Sequence, residues 1–195
     1  MTPLETPLYV AIPTHDSRTV VQTMIELASL SAHVGKISVL TAEGGNIPRT
    51  RNMCMEMLRR QDPIPPDPTW VLWVDSDILI PAGSAPMLAQ YITEGITSNR
   101  PWLAHYRMAD GRSVLMKERA LYNAQHYSDE ELIALPDWSP VGMGGFGLAL
   151  LPMDLAYQFH ADMAGEDIHF WLDHPDLIVH IVKGLRLQHR KAVWI

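Results

Sequence analysis

The chain has 195 residues, 47% of them apolar and 19% charged, a globular balance rather than that of a disordered segment. Its 15 Lys and Arg against 22 Asp and Glu leave a formal charge of −7, which argues against a bulk electrostatic grip on nucleic acid. Cys54 is the single cysteine, no uncharged apolar run approaches about 18 residues, and the start MTPLETPLYV has neither a basic flank nor an apolar signal core, so the expectation is a cytoplasmic protein with no membrane span.

Leu8 to Ile12 is a short apolar run closed by Pro13 and reads as a buried strand. Helical spacing follows, with Val20, Met24, Leu27 and Ala28 on one face and Asp16 or Ser17 as N-cap. Ile37 to Leu40 predicts the next strand, and a second helix begins at Pro48 with Met53, Met57 and Leu58 turned inward. The four prolines between Asp62 and Pro68 make a stiff loop. Trp70 to Val74 then gives the clearest strand in the chain. Strand, helix, strand, helix, strand is the order of an α/β unit with a mainly parallel sheet.

The second half is mixed. A helix is expected from about Ser84 to Thr93, and Trp102 to Arg107 with Ser113 to Lys117 flank Asp110-Gly111 as a hairpin. Ser128 and Glu131 form a capping box for a short helix. Val141 to Leu151 is glycine-rich and then apolar, Gly165 to Leu172 opens a helix, and Leu177 to His189 holds two short strands around Lys183-Gly184. The expectation is one domain over 1–195, with an open mixed α/β sheet, a parallel nucleotide-binding N-terminal half to about 100, an acceptor and catalytic half from about 101, and helices on both faces.

Asp75-Ser76-Asp77 follows the clearest strand directly. Residues two apart on extended chain point the same way, so both carboxylates can converge at the carboxyl end of a parallel strand, where open sheets place their ligands. Two such carboxylates need neutralising, and Mg²⁺ or Mn²⁺ would do so through oxygen ligands. A solvated turn is the plain alternative.

Four segments resemble the nucleotide-sugar-dependent glycosyltransferases of the GT-A fold, family-two-like in particular. They are Tyr9-Val10-Ala11-Ile12-Pro13-Thr14-His15-Asp16, Arg51-Asn52, Asp75-Ser76-Asp77, and Gly165-Glu166-Asp167-Ile168-His169-Phe170 followed by His189. The resemblance implies that Asp75, Asp77 and His189 hold Mn²⁺ or Mg²⁺ against a donor diphosphate, with Ser76 between. Pro13, Thr14 and Asp16 would line the nucleotide pocket, with Glu43 and Arg51 beside them. Asp167, paired with Glu166, would be the general base of an inverting transfer. Carboxylates are also favourable at a helix N-terminus for structural reasons alone. The donor would be a UDP-sugar, although the second strand ends Thr41-Ala42-Glu43 where the family has an acidic pair, which leaves other bases open. The acceptor would be a glycan or small hydroxylated molecule, with a protein or a modified DNA base as alternatives.

Gly142-Met143-Gly144-Gly145-Phe146-Gly147 satisfies the dinucleotide fingerprint in letters, but an apolar run and Pro152 follow it instead of a helix. In the glycosyltransferase reading Gly144 and Gly145 lie beside the donor sugar and let substrate approach the backbone. Trp70 and Trp73 read as core, while Trp102, Tyr106 and Trp138 read as core or as stacking faces for an acceptor. Of the remaining histidines, His105 and His169 are the next candidates after His189. Two rivals stay open: a haloacid-dehalogenase-like phosphatase or phosphotransferase using Asp75 and Asp77, and a non-catalytic nucleotide-sugar or glycan-binding module.

Overall fold

The computed structural model describes residues 4, 6–15, 19–108, 110–160, 165–185 and 187–189. In chain order the elements are β1 (Leu8–Thr14), α1 (Val21–Val34), β2 (Ile37–Glu43), α2 (Ile47–Arg59), β3 (Thr69–Val74), β4 (Ile78–Leu79), α3 (Ala85–Thr97) and β5 (Trp102–Ala104). There follow β6 (Leu115–Met116), α4 (Asp129–Ala134), β7 (Pro140–Val141), β8 (Met143–Gly144), β9 (Leu148–Met153), α5 (Glu166–Asp173), β10 (Val179–Val182) and β11 (Gln188–His189). Among the described residues the main sheet has seven strands in the order β2-β1-β3-β9-β5-β10-β7.

β1 is parallel to β2 and β3, and β5 to β10, while β9 opposes both its neighbours and β7 opposes β10. β2, β1, β3, β5 and β10 therefore point one way and end at one edge. This is the expected open mixed α/β sheet, drawing strands from both halves of the chain. Pro13 sits within β1 without breaking it because the pairing with β3 already ends at Ala11.

Register shows what covers each face. Leu72, Leu150 and Trp102 are partners across β3, β9 and β5, so their side chains share a side. Trp102 donates its indole N–H to the Tyr91 carbonyl of α3 at 3.0 Å, and α1 packs along α3 on that side. Trp73, one residue beyond Leu72, faces the opposite side and meets Arg51 of α2 and Phe159. Helices thus cover both faces, and β1 is buried along its whole length.

Two helical faces differ from the expectation. α1 turns Thr23, Glu26, Leu27, Leu30 and Val34 inward, while Met24 and Ala28 face solvent. The reason is polar: the Thr23 hydroxyl donates to Ile78 O and accepts from Ile80 N–H, and the Glu26 carboxylate accepts from Gly83 N–H and Ala85 N–H, at 2.9 Å each. α1 begins after Val20, and the expected caps Asp16 and Ser17 lie outside the described residues. α2 is capped by Asn46, which accepts from Arg49 N–H at 3.0 Å, with Pro48 in its first turn. Leu58 is buried as expected, but Met53 and Met57 are exposed, because the inward face is built on Thr50, Arg51, Cys54 and Met55.

The expected hairpin forms only near its tip, through the Arg107–Ser113 bridge and Val114 N–H to Tyr106 O. β5 is taken by β9 and β10, and Leu115-Met116 pairs with Met143-Gly144 instead. The capping box at Ser128 has both of its bonds, at 2.9 and 3.3 Å. β10 and β11 are the two short strands around Lys183-Gly184.

Candidate functional site

The edge where the parallel strands end gathers most of the residues singled out above. Asp75-Ser76-Asp77 is a turn rather than extended chain: Ile78 N–H donates to Asp75 O at 3.1 Å, and Asp75 N–H to Gly147 O at 2.9 Å. The carboxylates therefore take different partners. Asp75 Oδ1 accepts from Arg51 Nη2 at 2.9 Å, whereas Asp77 Oδ2 lies 2.9 Å from His189 Nε2. They still sense each other. Burial pushes the Asp77 carboxyl up, the nearby Asp75 charge adds to this, and His189 pulls against both. Ser76 contributes its carbonyl, which accepts from Val20 N–H at 3.1 Å.

Arg51 is 1% exposed and stands away from the cavity beside Thr14 and Glu43; it lies beneath the carboxylates. Its Nε donates to Glu166 Oε1 at 3.0 Å, and the Nη2 that serves Asp75 is 3.6 Å from Asp167 Oδ1. The guanidinium carbon stands 5.3 Å from the Trp73 ring centroid and 5.1 Å from that of Phe146, so π faces surround the group where Nη1 has no hydrogen-bond partner. Burial opposes its charge, but Asp75, Asp167 and Glu166 outweigh that and hold its pKa above the usual value.

One cation thus faces three carboxylates. Asp167 bears the excess: burial first, then the charges of Glu166 and Asp75, push it up to about 7 against the pull of Arg51 and of Phe146 N–H, which donates to its Oδ2 at 3.2 Å. The group nevertheless keeps 27% of its side chain open. α5 starts after Gly165, whose φ of 91° suits glycine, so Glu166 and Asp167 fall in its first turn, where carboxylates are favoured.

The glycine segment does not leave bare backbone as expected. The Tyr106 ring fills the space: a Cβ on Gly147 would stand 2.4 Å from that ring, and one on Gly145 2.8 Å from its hydroxyl. A Cβ on Gly144 would meet Leu115 at 2.8 Å, yet Gly144 and Gly145 still border a cavity of about 430 Å³ with Glu166, Asp167, Trp171 and His189. Tyr106 also stacks on the His189 imidazole, centroids 5.7 Å apart at 18°. Burial and the charges of Asp75 and Asp167 raise the Tyr106 phenol well above its usual value, so it remains neutral.

His189 reaches the site through β11, which pairs antiparallel with β4 and sets His189 opposite Ile78, beside Asp77. A divalent ion such as Mg²⁺ takes ligands at about 2.1 Å, so two at right angles stand about 3 Å apart. Asp77 and His189 meet that spacing, and Asp75 keeps one oxygen outside the Arg51 contact. Among the described residues, no three acidic, His or Cys side chains form a ready ligand group. The donor atoms suit Mn²⁺ or Mg²⁺, but Asp77 and His189 are in direct contact with each other and Asp75 is held by Arg51.

At the ends of β1 and β2, Thr14 and Glu43 are register partners and border a cavity of about 490 Å³ with Thr19, Met24 and Thr41. Pro13 is buried within β1, and Asp16 lies outside the described residues. Trp73 and Trp102 are core, and Trp138 packs on Tyr91 and His180, away from this edge. His105 lines a separate cavity with Arg107 and Lys183, and His169 packs near His160. The central place of Arg51 was missed, although its spacing from Cys54, Met55 and Leu58 puts it on the buried stripe of α2. Arg119 was missed as well: it donates to Gly142 O, Trp171 O, His174 O and Leu177 O, tying the glycine segment to the end of α5.

No family model and no curated protein matches the sequence. Among solved structures, the chain is similar to a nucleoside-diphosphate-sugar pyrophosphorylase from Vibrio cholerae RC9, at 13% identity and a TM-score of 0.42, over 92% of this chain and 73% of that one. A likeness of that degree assigns no activity. Among the described residues, no helix is long and apolar enough to cross a membrane.

Proposed function

We propose that the protein is a metal-dependent glycosyltransferase that moves a sugar from a nucleoside diphosphate sugar to an acceptor hydroxyl with inversion. The observation that carries this reading is the meeting of Asp75, Glu166 and Asp167 around the buried Arg51, with Asp167 pushed up to about 7 and open to a cavity of about 430 Å³. A general base works best with a pKa near the working pH. Arg51 stands closer to Asp75 than to Asp167, 2.9 against 3.6 Å, which leaves Asp167 its basicity. Phe146 N–H orients the carboxylate by holding Oδ2.

Asp167 takes the proton of the acceptor hydroxyl while that oxygen bonds to the anomeric carbon. The bond from that carbon to the diphosphate oxygen breaks, and its electron pair leaves with the nucleoside diphosphate. Asp77, His189 and Asp75 would hold Mn²⁺ or Mg²⁺, which when bound supplies Lewis-acid stabilisation of the departing charge. The cavity beside Thr14 and Glu43 takes the nucleoside. UDP is favoured by the resemblance alone.

A panel of nucleotide sugars with Mn²⁺, scored for slow donor hydrolysis, tests the reading without knowledge of the acceptor. Free sugar and nucleoside diphosphate are the expected products. Inorganic phosphate without free sugar would overturn sugar transfer in favour of phosphatase chemistry, and nucleotide binding without turnover would leave a binding module. Asp77→Ala is expected to abolish Mn²⁺-dependent UDP binding in calorimetry.

A further inference from the structure

Past Asp167, the ends of β5 and β10 border a cavity of about 720 Å³ whose charged and titratable lining, among the described residues, is His105, Tyr106, Arg107, Lys183 and His189, with no carboxylate. This is unexpected in a chain of charge −7. The sequence from Leu177 to Ile195 holds Lys183, Arg186, Arg190 and Lys191 and no Asp or Glu; of these cations Lys183 lines the cavity, and the other three lie outside the described residues.

We propose that this cavity receives a phosphate group carried by the acceptor, so that the hydroxyl to be modified belongs to a phosphorylated molecule. The inference rests on the glycosyltransferase reading and deepens it. Lys183 Nζ donates to the carbonyls of Leu132, Ile133 and Leu135 at the end of α4 and has no carboxylate partner among the described residues, so it lends positive charge to the wall while its N–H groups are already engaged. Arg107 pairs with Asp129 and donates to Gly111 O, but is half exposed and keeps N–H groups beyond those contacts. His105 Nε2 is buried and unpartnered in the same wall. Spread positive charge, a guanidinium fork and an idle imidazole nitrogen are what a phosphate needs.

Position decides between acceptor and donor. Across the sheet edge the nucleoside cavity lies at β2 and β1, the Asp75 turn at β3, Asp167 beside the entry to β9, and the cationic cavity at β5 and β10. Four strand spacings separate the two outer cavities, about 19 Å. The cationic cavity adjoins the one holding Asp167 and shares Tyr106, Met108 and His189 with it. A phosphate seated there lies on the far side of the base from the nucleoside.

The probe is inorganic phosphate, titrated into the full chain at low ionic strength with no divalent cation and followed by calorimetry. Saturable binding is expected, weakened about tenfold by Arg107→Gln, as for loss of one charge-assisted contact, and restored by Arg107→Lys. UDP affinity with Mn²⁺ is expected to change less than twofold in the same variants. Phosphate binding indifferent to Arg107→Gln would overturn the proposal, and so would an equal loss of UDP binding, which would make this the donor's diphosphate site. Lys183→Gln, read in the same titration, decides if Arg107→Gln does not fold. Donor hydrolysis without phosphate binding would sink this inference and leave sugar transfer standing, whereas no hydrolysis with any donor would remove the reading beneath it.

Discussion

Removing the guanidinium of Arg51 leaves Asp75, Glu166 and Asp167 facing one another with no counter-charge. Arg51→Met is expected to lose about 3–5 kcal/mol in urea unfolding, the range for breaking a buried ionic group. The loss should be smaller at pH 5 than at pH 8, because the orphaned carboxyls can then take up protons. Asp167 has its own signature in the unmodified protein. Its folded pKa is raised to about 7, so the folded state holds a proton that the unfolded state releases near pH 4. Stability from this group is full below pH 4 and is lost as pH rises through about 7. Thermal melting against pH should show that fall, and Asp167→Asn should flatten it. The rate of donor turnover should rise over the same window and collapse in the variant, whereas equal turnover would remove Asp167 as base. Of the site's carboxylates, spacing after the strand singled out Asp75 and Asp77, while Glu166 and Asp167 were candidates through the family resemblance. Spacing could not show that the aspartates of the triplet have separate partners, since a turn replaces the extended geometry on which the expectation rested.

Helices and strands here are joined by charged side chains as much as by apolar packing. Glu26 of α1 caps the start of α3 through Gly83 N–H and Ala85 N–H, an arrangement invisible to a search for apolar faces. That is why the inward face of α1 was misread. Arg119 plays the matching part for α5: its guanidinium donates to carbonyls at that helix's end and lies 5.9 Å from the Trp171 ring. Arg119→Met is expected to cost about 3 kcal/mol in urea unfolding, from two or more lost charge-assisted bonds. A shift below about 0.5 kcal/mol would show that water replaces them. The capping box at Ser128 was readable because both partners lie within four residues, whereas the β4–β11 pairing joins segments more than a hundred residues apart and leaves no local trace.

At the scale of the molecule, the strand order arranges cavities along one edge, and the fold class followed from the alternation of strands and helices in the first half. The antiparallel place of β9 did not, because a run buried on both faces has no periodicity to betray its direction. If nucleotide and metal bind the folded chain alone, UDP with Mn²⁺ at about 100 times its Kd should add about 2.7 kcal/mol of stability, seen as a rise in Tm. Either component alone should do less. His189 depends on a ladder of two residue pairs, Gln188 with Leu79 and His189 with Ile78. Strand pairing slips in whole residues, and each slip turns every side chain over. One inserted residue between Gly184 and Leu187 would bring Gln188 to the place of the imidazole and put an amide oxygen beside Asp77. If Asp77 and His189 hold the ion as proposed above, the choice between a nitrogen and an oxygen neighbour, and with it the balance between manganese and calcium, would be set by the length of a connecting loop.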